Sequence, residues 1–219
     1  MAGLSQPHLL YVADPMRSWC WGLPPVIADI RLAFRDQLPV HSVMGGLRPG
    51  ISRPMDVAAK AETRDHWEHV QAASDQPFDY GFFSRAGFVY DTEPAARAVV
   101  VLRRLGPDMA LAALIRFQQA FYAENQDVTH PDVLTALAGE LGVDKATFRS
   151  AFDETSAQKK TLNDFARSRA FGVRGFPTLI AAQGRKGPDA IATRGFCQVA
   201  PLIAALGGWL ETVVPLTCH

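Results

Sequence analysis

Two short segments of the chain contain the residues whose types and spacing could do chemistry. The first, Asp14–Gly22, reads DPMRSWCWG and holds one thiol, Cys20, three residues after Arg17. Residues three apart on a helix lie on one face, so we expect the Arg17 guanidinium to favour the Cys20 thiolate. The thiolate is the reactive form of cysteine, and this spacing therefore predicts monothiol chemistry, such as glutathionylation or sulfenic acid formation.

The second segment, Gly172–Leu179, reads GVRGFPTL. Pro177 has no amide to donate to a sheet, so it fits the first residue of a strand better than its middle. Gly172 and Gly175 supply the backbone freedom that a tight loop before such a strand requires.

The opening of the chain reads as strand, helix, strand. Leu9–Ala13 is a short apolar run, and Pro24–Leu38 has apolar residues at three- and four-residue steps. Pro24 and Pro25 are expected to kink this first helix after its reactive turn. Val40–Met44 is the second strand, and a crossover of this length suits parallel pairing.

The rest of the chain is predicted as a helical block followed by two strands and a helix. From Met55 to about Ala170 nearly every segment reads helical. Strands follow at Phe176–Ala182 and Ala190–Arg194, and the stretch QGRKGPD between them suits a hairpin turn. Val199–Val214 reads as a closing amphipathic helix that Gly207 and Gly208 interrupt.

This order predicts an α/β fold with a large helical insertion. We place residues 1–50 and 171–219 in the α/β domain and residues 51–170 in the insertion.

The two motifs together resemble the DsbA-like branch of the thioredoxin superfamily, especially its cytoplasmic, FrnE-like group of disulfide isomerases. In that group the first segment reads DPMCSWCWG, and the second has the form GVxGFPT. The resemblance extends to Tyr90–Pro94 and Phe117–Tyr122 in the helical block. It implies a thioredoxin-like fold, a cis bond before Pro177, and ligand binding at Phe176, the residue before that proline.

Arg17 stands where the family has its first cysteine. In the family that cysteine sits at a helix amino terminus, where the thiolate is stabilised and attacks a substrate sulfur, while the second cysteine resolves the mixed disulfide. An arginine cannot attack a sulfur. A dithiol–disulfide cycle within residues 17–20 is therefore excluded, although the lineage implied is that of a thiol oxidoreductase or isomerase.

Three roles for the site remain open. Cys20 is either the thiol of a monothiol or glutathione-linked enzyme, with Arg17 beside it, or an inert buried residue. Alternatively, the protein is a non-catalytic module that binds a peptide or glutathione between Arg17 and the Phe176–Pro177 loop, because a cation at a helix amino terminus favours carboxylates.

The remaining site candidates flank these residues. A serine replaces the first cysteine in the similar kappa-class glutathione transferases and hydroxychromene-carboxylate isomerases. In this chain Ser18 lies one position after the equivalent site. Ser18 therefore either acts catalytically or caps the helix. Trp19, Trp21 and Gly175 are candidate ligand contacts if the aromatic rings are exposed rather than packed in the core.

Composition excludes several other classes. The 22 basic and 22 acidic residues balance, so no basic excess predicts a nucleic-acid or polybasic membrane partner. No apolar run reaches the roughly 18 residues of a membrane span. We expect a thiol-containing small molecule or peptide as partner, no cofactor beyond glutathione as co-substrate, and a monomer or homodimer.

The cysteines and histidines predict no further site. Cys20, Cys197 and Cys218 form neither a disulfide framework nor a zinc-finger pattern. His66 and His69 lie beside acidic residues on a predicted helix, which is typical of a solvated face, so we predict no metal. Sparse cysteines and no visible secretory signal predict a cytoplasmic protein.

Overall fold

A computed structural model describes residues 6–184 and 190–213. Four strands form one sheet in the order β2-β1-β3-β4. Their bounds are β1 Pro7–Ala13, β2 Val40–Met44, β3 Thr178–Gln183 and β4 Ala190–Arg194. Strand β2 is parallel to β1, whereas β3 is antiparallel to both β1 and β4.

The register of the sheet places the two sequence motifs together. Val12, near the end of β1, pairs with Thr178, the first residue of β3. Because β1 and β2 are parallel, the end of β2 at Met44 lies at the same edge. The segments that follow β1 and β2 and precede β3 therefore meet at one end of the sheet.

Nine helices are found in the described part of the chain. Their bounds are α1 Ser18–Trp21, α2 Pro24–Phe34, α3 Val57–Ser74, α4 Glu93–Leu102, α5 Pro107–Tyr122, α6 Pro131–Glu140, α7 Lys145–Asp153, α8 Thr155–Ala170 and α9 Val199–Val213. Short 3-10 turns follow at Arg35–Gln37, Tyr80–Ser84 and Arg103–Leu105. Helices α3–α8 form the predicted helical block between β2 and β3.

The first predicted helix is two helices. The single turn α1 ends at Trp21, and Pro24 and Pro25 open α2 rather than kinking a continuous helix. Proline suits the first turn of a helix because its missing amide would lack a partner there anyway. Helix α2 ends at Phe34, so Leu38 lies beyond it.

The closing helix is continuous, and its predicted interruption is wrong. Helix α9 buries Leu202, Leu206 and Leu210, which recur at four-residue steps on one face. Gly207 and Gly208 lie off that face, so their weak helix propensity is overcome by the packing of the leucines. The pairing of β3 with β4 agrees with a hairpin, but residues 185–189 of its turn lie outside the described part.

One core spans the sheet and the helical block. A single cluster of buried side chains includes Leu9 and Tyr11 of the sheet, Ile27 of α2 and Phe117 of α5. A smaller cluster covers the other face of the sheet, with Leu10 and Val12 among its members. Within the described ranges, no helix is long and apolar enough to span a membrane.

Candidate functional site

A buried carboxylate holds the turn that leads into α1. The Asp14 side chain accepts hydrogen bonds from the Met16 amide (2.9 Å) and from the Leu47 amide (2.7 Å). It therefore ties the end of β1 to the loop after β2. Burial raises the pKa of Asp14 to about 6, although these hydrogen bonds oppose the rise.

Arg17, not Ser18, is the N-cap residue of α1. Its backbone is extended, with φ −98° and ψ 116°, and its carbonyl accepts a hydrogen bond from the Cys20 amide at 2.8 Å. Ser18 is the first helical residue and is buried, and no side chain caps this helix. The expectation that Ser18 caps α1 is therefore wrong.

Cys20 lies on the inner side of this turn with 0% of its surface exposed. Burial raises the pKa of the Cys20 thiol far above its ordinary value, and the Asp14 charge raises it further. Arg17 lowers this pKa, as the sequence indicated, but its effect is smaller than that of burial. Arg17 thus favours the thiolate as expected, but the apolar core disfavours the charged form more strongly, so the Cys20 thiol is not activated overall.

Trp21 is also part of the core rather than of an exposed aromatic surface. It is 5% exposed, its indole nitrogen donates to the Pro77 carbonyl at 3.0 Å, and its ring stacks on Tyr122 with centroids 6.3 Å apart. Trp19 is half-buried and packs beside Phe196 with centroids 5.9 Å apart. Of the two tryptophans, only Trp19 is available to a ligand.

The loop before β3 faces α1 across the sheet edge. The bond between Phe176 and Pro177 is cis, and the Pro177 carbonyl accepts a hydrogen bond from the Gly195 amide at 2.7 Å. Pro177 is buried, whereas Phe176 is half-buried and Gly175 is exposed. Among the described residues, no group bonds to the backbone amide or carbonyl of Phe176. Both groups can therefore pair with a ligand.

The Phe176 ring rests on a glycine at the end of β2. A Cβ atom built on Gly45 would lie 2.1 Å from the Phe176 ring, which is far closer than van der Waals contact. Only glycine therefore allows Phe176 its observed position. The sequence showed Gly45–Gly46 only as the end of a strand, and nothing local indicated the aromatic partner.

Two hollows open on either side of Arg17 and the loop before β3. Their volumes are about 340 Å³ and about 510 Å³. Both are lined by Arg17, Arg174, Gly175 and Phe176. We call the two hollows and these four shared residues the Arg17 groove. Trp19 lines the larger hollow, whereas Ser18, Cys20, Trp21 and Pro177 line neither.

The Arg17 groove is strongly cationic. Arg169 lines the smaller hollow and Arg194 the larger, in addition to Arg17 and Arg174. Within the described ranges, none of the four guanidiniums has an ion pair or a side-chain hydrogen bond, and no acidic residue lines either hollow. Four unpaired guanidiniums around an open groove favour an anionic ligand.

Sequence reasoning missed Arg169, Arg174 and Arg194 as members of this site. Arg174 lies within the second motif, but Arg169 belongs to α8 and Arg194 ends β4. Only the sheet order and the position of α8 bring them to the groove, so no spacing in the sequence indicated them.

Comparison with known proteins gives the family. The DSBA-like thioredoxin domain matches residues 70–196, which is more than half of the 219 residues. This range includes the loop before β3 but not α1.

Solved structures resemble almost the whole chain. A presumed protein disulfide isomerase from Nitrosomonas europaea is 35% identical, with a TM-score of 0.86 over 94% of this chain and 98% of that one. The cytosolic disulfide reductase DsbM from Pseudomonas aeruginosa is 26% identical, with a TM-score of 0.75 over 94% and 99%. A structure of the same reductase with GSH is 23% identical over 93% and 99%, with a TM-score of 0.73.

A curated relative differs in its described role. The ClpXP adapter protein SpxH from Shouchella clausii is 22% identical over 172 residues, which are 76% of this chain and 55% of that protein. The chain thus spans about half the length of the curated relatives it matches. The fold, the two motifs that meet at one end of the sheet, and the match of residues 70–196 to the family lead to one assignment: the chain belongs to the family of DSBA-like thioredoxin domains.

Proposed function

We propose that this protein binds a small anionic thiol compound, with glutathione as the best candidate, in the Arg17 groove, and does so without a dithiol exchange cycle. The observation that carries the proposal is the difference in solvent access between the one thiol of the two motifs and the arginines of the groove. Cys20 is fully buried, whereas Arg17, Arg174 and the Phe176 backbone are open to a ligand.

Glutathione matches the groove in its carboxylates and its peptide backbone. It carries two carboxylates on an extended peptide, and each hollow offers unpaired guanidiniums to one carboxylate. The Phe176 amide and carbonyl supply the short antiparallel pairing that the family resemblance implies. The related DsbM has a structure with GSH, which supports the same ligand class.

Burial argues against Cys20 as the thiol of a monothiol enzyme. A sulfur with no exposed surface and a raised pKa is neither reachable nor ionised near neutral pH. We infer that glutathione is held as a ligand and that Cys20 packs the core beneath it. We also infer a cytoplasmic setting, since the cysteines form no framework and the similar DsbM is cytosolic.

Calorimetric titration with reduced glutathione tests the proposal. We expect saturable binding, and we expect Arg17→Gln and Arg174→Gln each to weaken it about tenfold, because each removes a charge-assisted hydrogen bond. Arg53→Gln is the matched control, since Arg53 is exposed and lines neither hollow. S-methylglutathione should bind as well as glutathione, because recognition rests on carboxylates and backbone.

Two results would overturn this function. The first is no saturable glutathione binding at millimolar concentration, or binding that Arg17→Gln and Arg53→Gln weaken equally. The second is a mixed disulfide with Cys20, seen by peptide mass spectrometry after incubation of the folded protein with oxidised glutathione. The latter result would restore monothiol chemistry at Cys20.

A further inference from the structure

The two hollows of the Arg17 groove differ in their walls. Among the described residues that line the smaller hollow, Phe176 is the one aromatic residue. The larger hollow, of about 510 Å³, is lined by Trp19 and Phe196 as well as Phe176. The smaller hollow therefore offers mainly cations and backbone, whereas the larger hollow adds an aromatic wall.

Three separate elements bring these aromatic side chains together. Trp19 belongs to α1, Phe176 precedes β3, and Phe196 follows β4. The Trp19 and Phe196 rings are tilted by 36° to each other, with centroids 5.9 Å apart. Both residues are half-buried and line the hollow, so part of each side chain is open to it. An aromatic wall with open surface can pack against a further ring.

Cations border this aromatic wall. Arg174 and Arg194 line the larger hollow and are exposed, and neither has an ion pair within the described ranges. Small-molecule sites commonly combine an apolar wall with a few charged groups that fix the orientation of the ligand. The larger hollow is therefore suited to a ligand that carries both an anionic group and an apolar ring.

The sulfur of a bound glutathione would lie beside this wall. Cysteine is the middle residue of glutathione, and the proposed pairing with the Phe176 backbone places that residue between the two hollows. The inner side of α1 is closed, because Cys20 is fully buried. The Phe176 ring lies against Gly45, which lines the smaller hollow. We therefore expect a group attached to the sulfur to enter the larger hollow, toward Trp19 and Phe196.

We propose that the larger hollow binds an aromatic group carried on the sulfur of the thiol compound, so that the ligands of the groove are aromatic S-conjugates of glutathione. This inference rests on the proposed function, because the glutathione part anchors the ligand through its carboxylates. Trp19 and Phe196 then supply the preference for an aromatic substituent. Binding of such a thioether requires no free protein thiol, in agreement with the burial of Cys20.

Calorimetric titration with S-benzylglutathione and S-methylglutathione tests this site. The two thioethers carry the same charged groups, and S-benzylglutathione differs only in its additional phenyl ring. We expect S-benzylglutathione to bind about tenfold more tightly, because its ring packs against Trp19 and Phe196 and leaves water.

Two variants of the aromatic wall should remove this preference. Trp19→Leu and Phe196→Leu should each reduce the tenfold ratio of the two affinities toward one. Because both affinities are measured on the same variant, their ratio cancels any general weakening of the groove. Trp209→Leu is the matched control and should keep the tenfold ratio, since Trp209 is a half-buried tryptophan of α9 that lines neither hollow.

The outcomes separate this inference from the proposed function. If S-methylglutathione binds and S-benzylglutathione binds no more tightly, the aromatic site is overturned while the anion site stands. If neither thioether binds, both proposals fail. An equal loss of the ratio in Trp209→Leu and Trp19→Leu would also overturn the aromatic site. So would displacement of S-benzylglutathione by an equal or lower concentration of the tripeptide glutamyl-phenylalanyl-glycine, because the hollow would then receive a peptide side chain rather than an S-substituent.

Discussion

The single turn α1 has two sides with opposite chemistry. On the outer side, Arg17 and Trp19 face an open cationic groove. On the inner side, Cys20 and Trp21 are enclosed in the core. Residues one position apart therefore differ completely in solvent access, because a helical turn rotates each side chain by about 100°.

This difference shows how the fold around the motif would stay intact under the proposed loss of the exchange cycle. The inner residues are held by the core, since the Tyr11 hydroxyl donates to the Cys20 carbonyl at 3.2 Å. Of positions 17 and 20, where the resembling family has its two cysteines, only position 17 lines the groove, so we expect its residue type to decide between sulfur chemistry and anion binding. The variants below change either the residues on these two sides or the residues that hold them in place.

Arg17→Cys should produce the largest change. It places a thiol at the helix amino terminus, where the partial positive charge stabilises a thiolate, with Cys20 three residues later. We expect insulin reduction with dithiothreitol to rise from background to a measurable rate. Arg17→Ser, which removes the guanidinium without adding sulfur, should stay at background. Insulin reduction by the unmodified protein through Cys20 would contradict the division between the two sides.

Thiol alkylation should show the next largest contrast. Cys20 is fully buried and Cys197 is half-buried, and both are free. Cys20 reacts only when the core opens, so we expect labelling of native protein at least about a thousandfold slower than in urea. Peptide mass spectrometry distinguishes the two cysteines. Labelling of Cys20 as fast as that of Cys197 would show that the inner side is open.

Asp14 should make stability depend on pH. The pKa of Asp14 is about 6 in the folded protein, against an ordinary value of 3.8. Between these pH values the folded state binds more protons than the unfolded state, so the free energy of unfolding falls as pH rises. The difference between the two pKa values corresponds to a fall of about 3 kcal/mol. The loss of folding stability is absent below about pH 4 and complete above about pH 6.

Urea unfolding of Asp14→Asn and the unmodified protein at several pH values isolates this contribution. The variant loses one accepted hydrogen bond at every pH, but it should gain stability relative to the unmodified protein as pH rises from 4 to 7. A stability difference that stays constant over this range would show that Asp14 titrates normally.

The sequence predicted the fold more completely than the site. Apolar periodicity and local residue types predicted the order of strands and helices, and the resemblance carried by the two motifs implied the thioredoxin-like fold. Burial of Cys20 was one of two alternatives left open, because a single turn does not reveal which of its sides meets the core. Arg169 and Arg194 were missed because the sheet, not the chain, brings them to Arg17.

Gly45→Ala should have a modest effect on stability and a specific effect on the groove. The new methyl group would lie 2.1 Å from the Phe176 ring, so the ring and its loop must shift. Overpacking of this kind destabilises by about 1–3 kcal/mol. Because Phe176 lines both hollows, glutathione binding should weaken together with the melting temperature.

Gly207→Ala provides the control, since it lies in the interior of α9 with nothing within 4 Å of the added Cβ. It should raise stability by about 0.5–1 kcal/mol and leave glutathione binding unchanged. If Gly45→Ala binds glutathione normally despite a lower melting temperature, the Phe176 loop does not form the ligand surface. The ligand would then be held by Arg17 and its neighbouring cations alone.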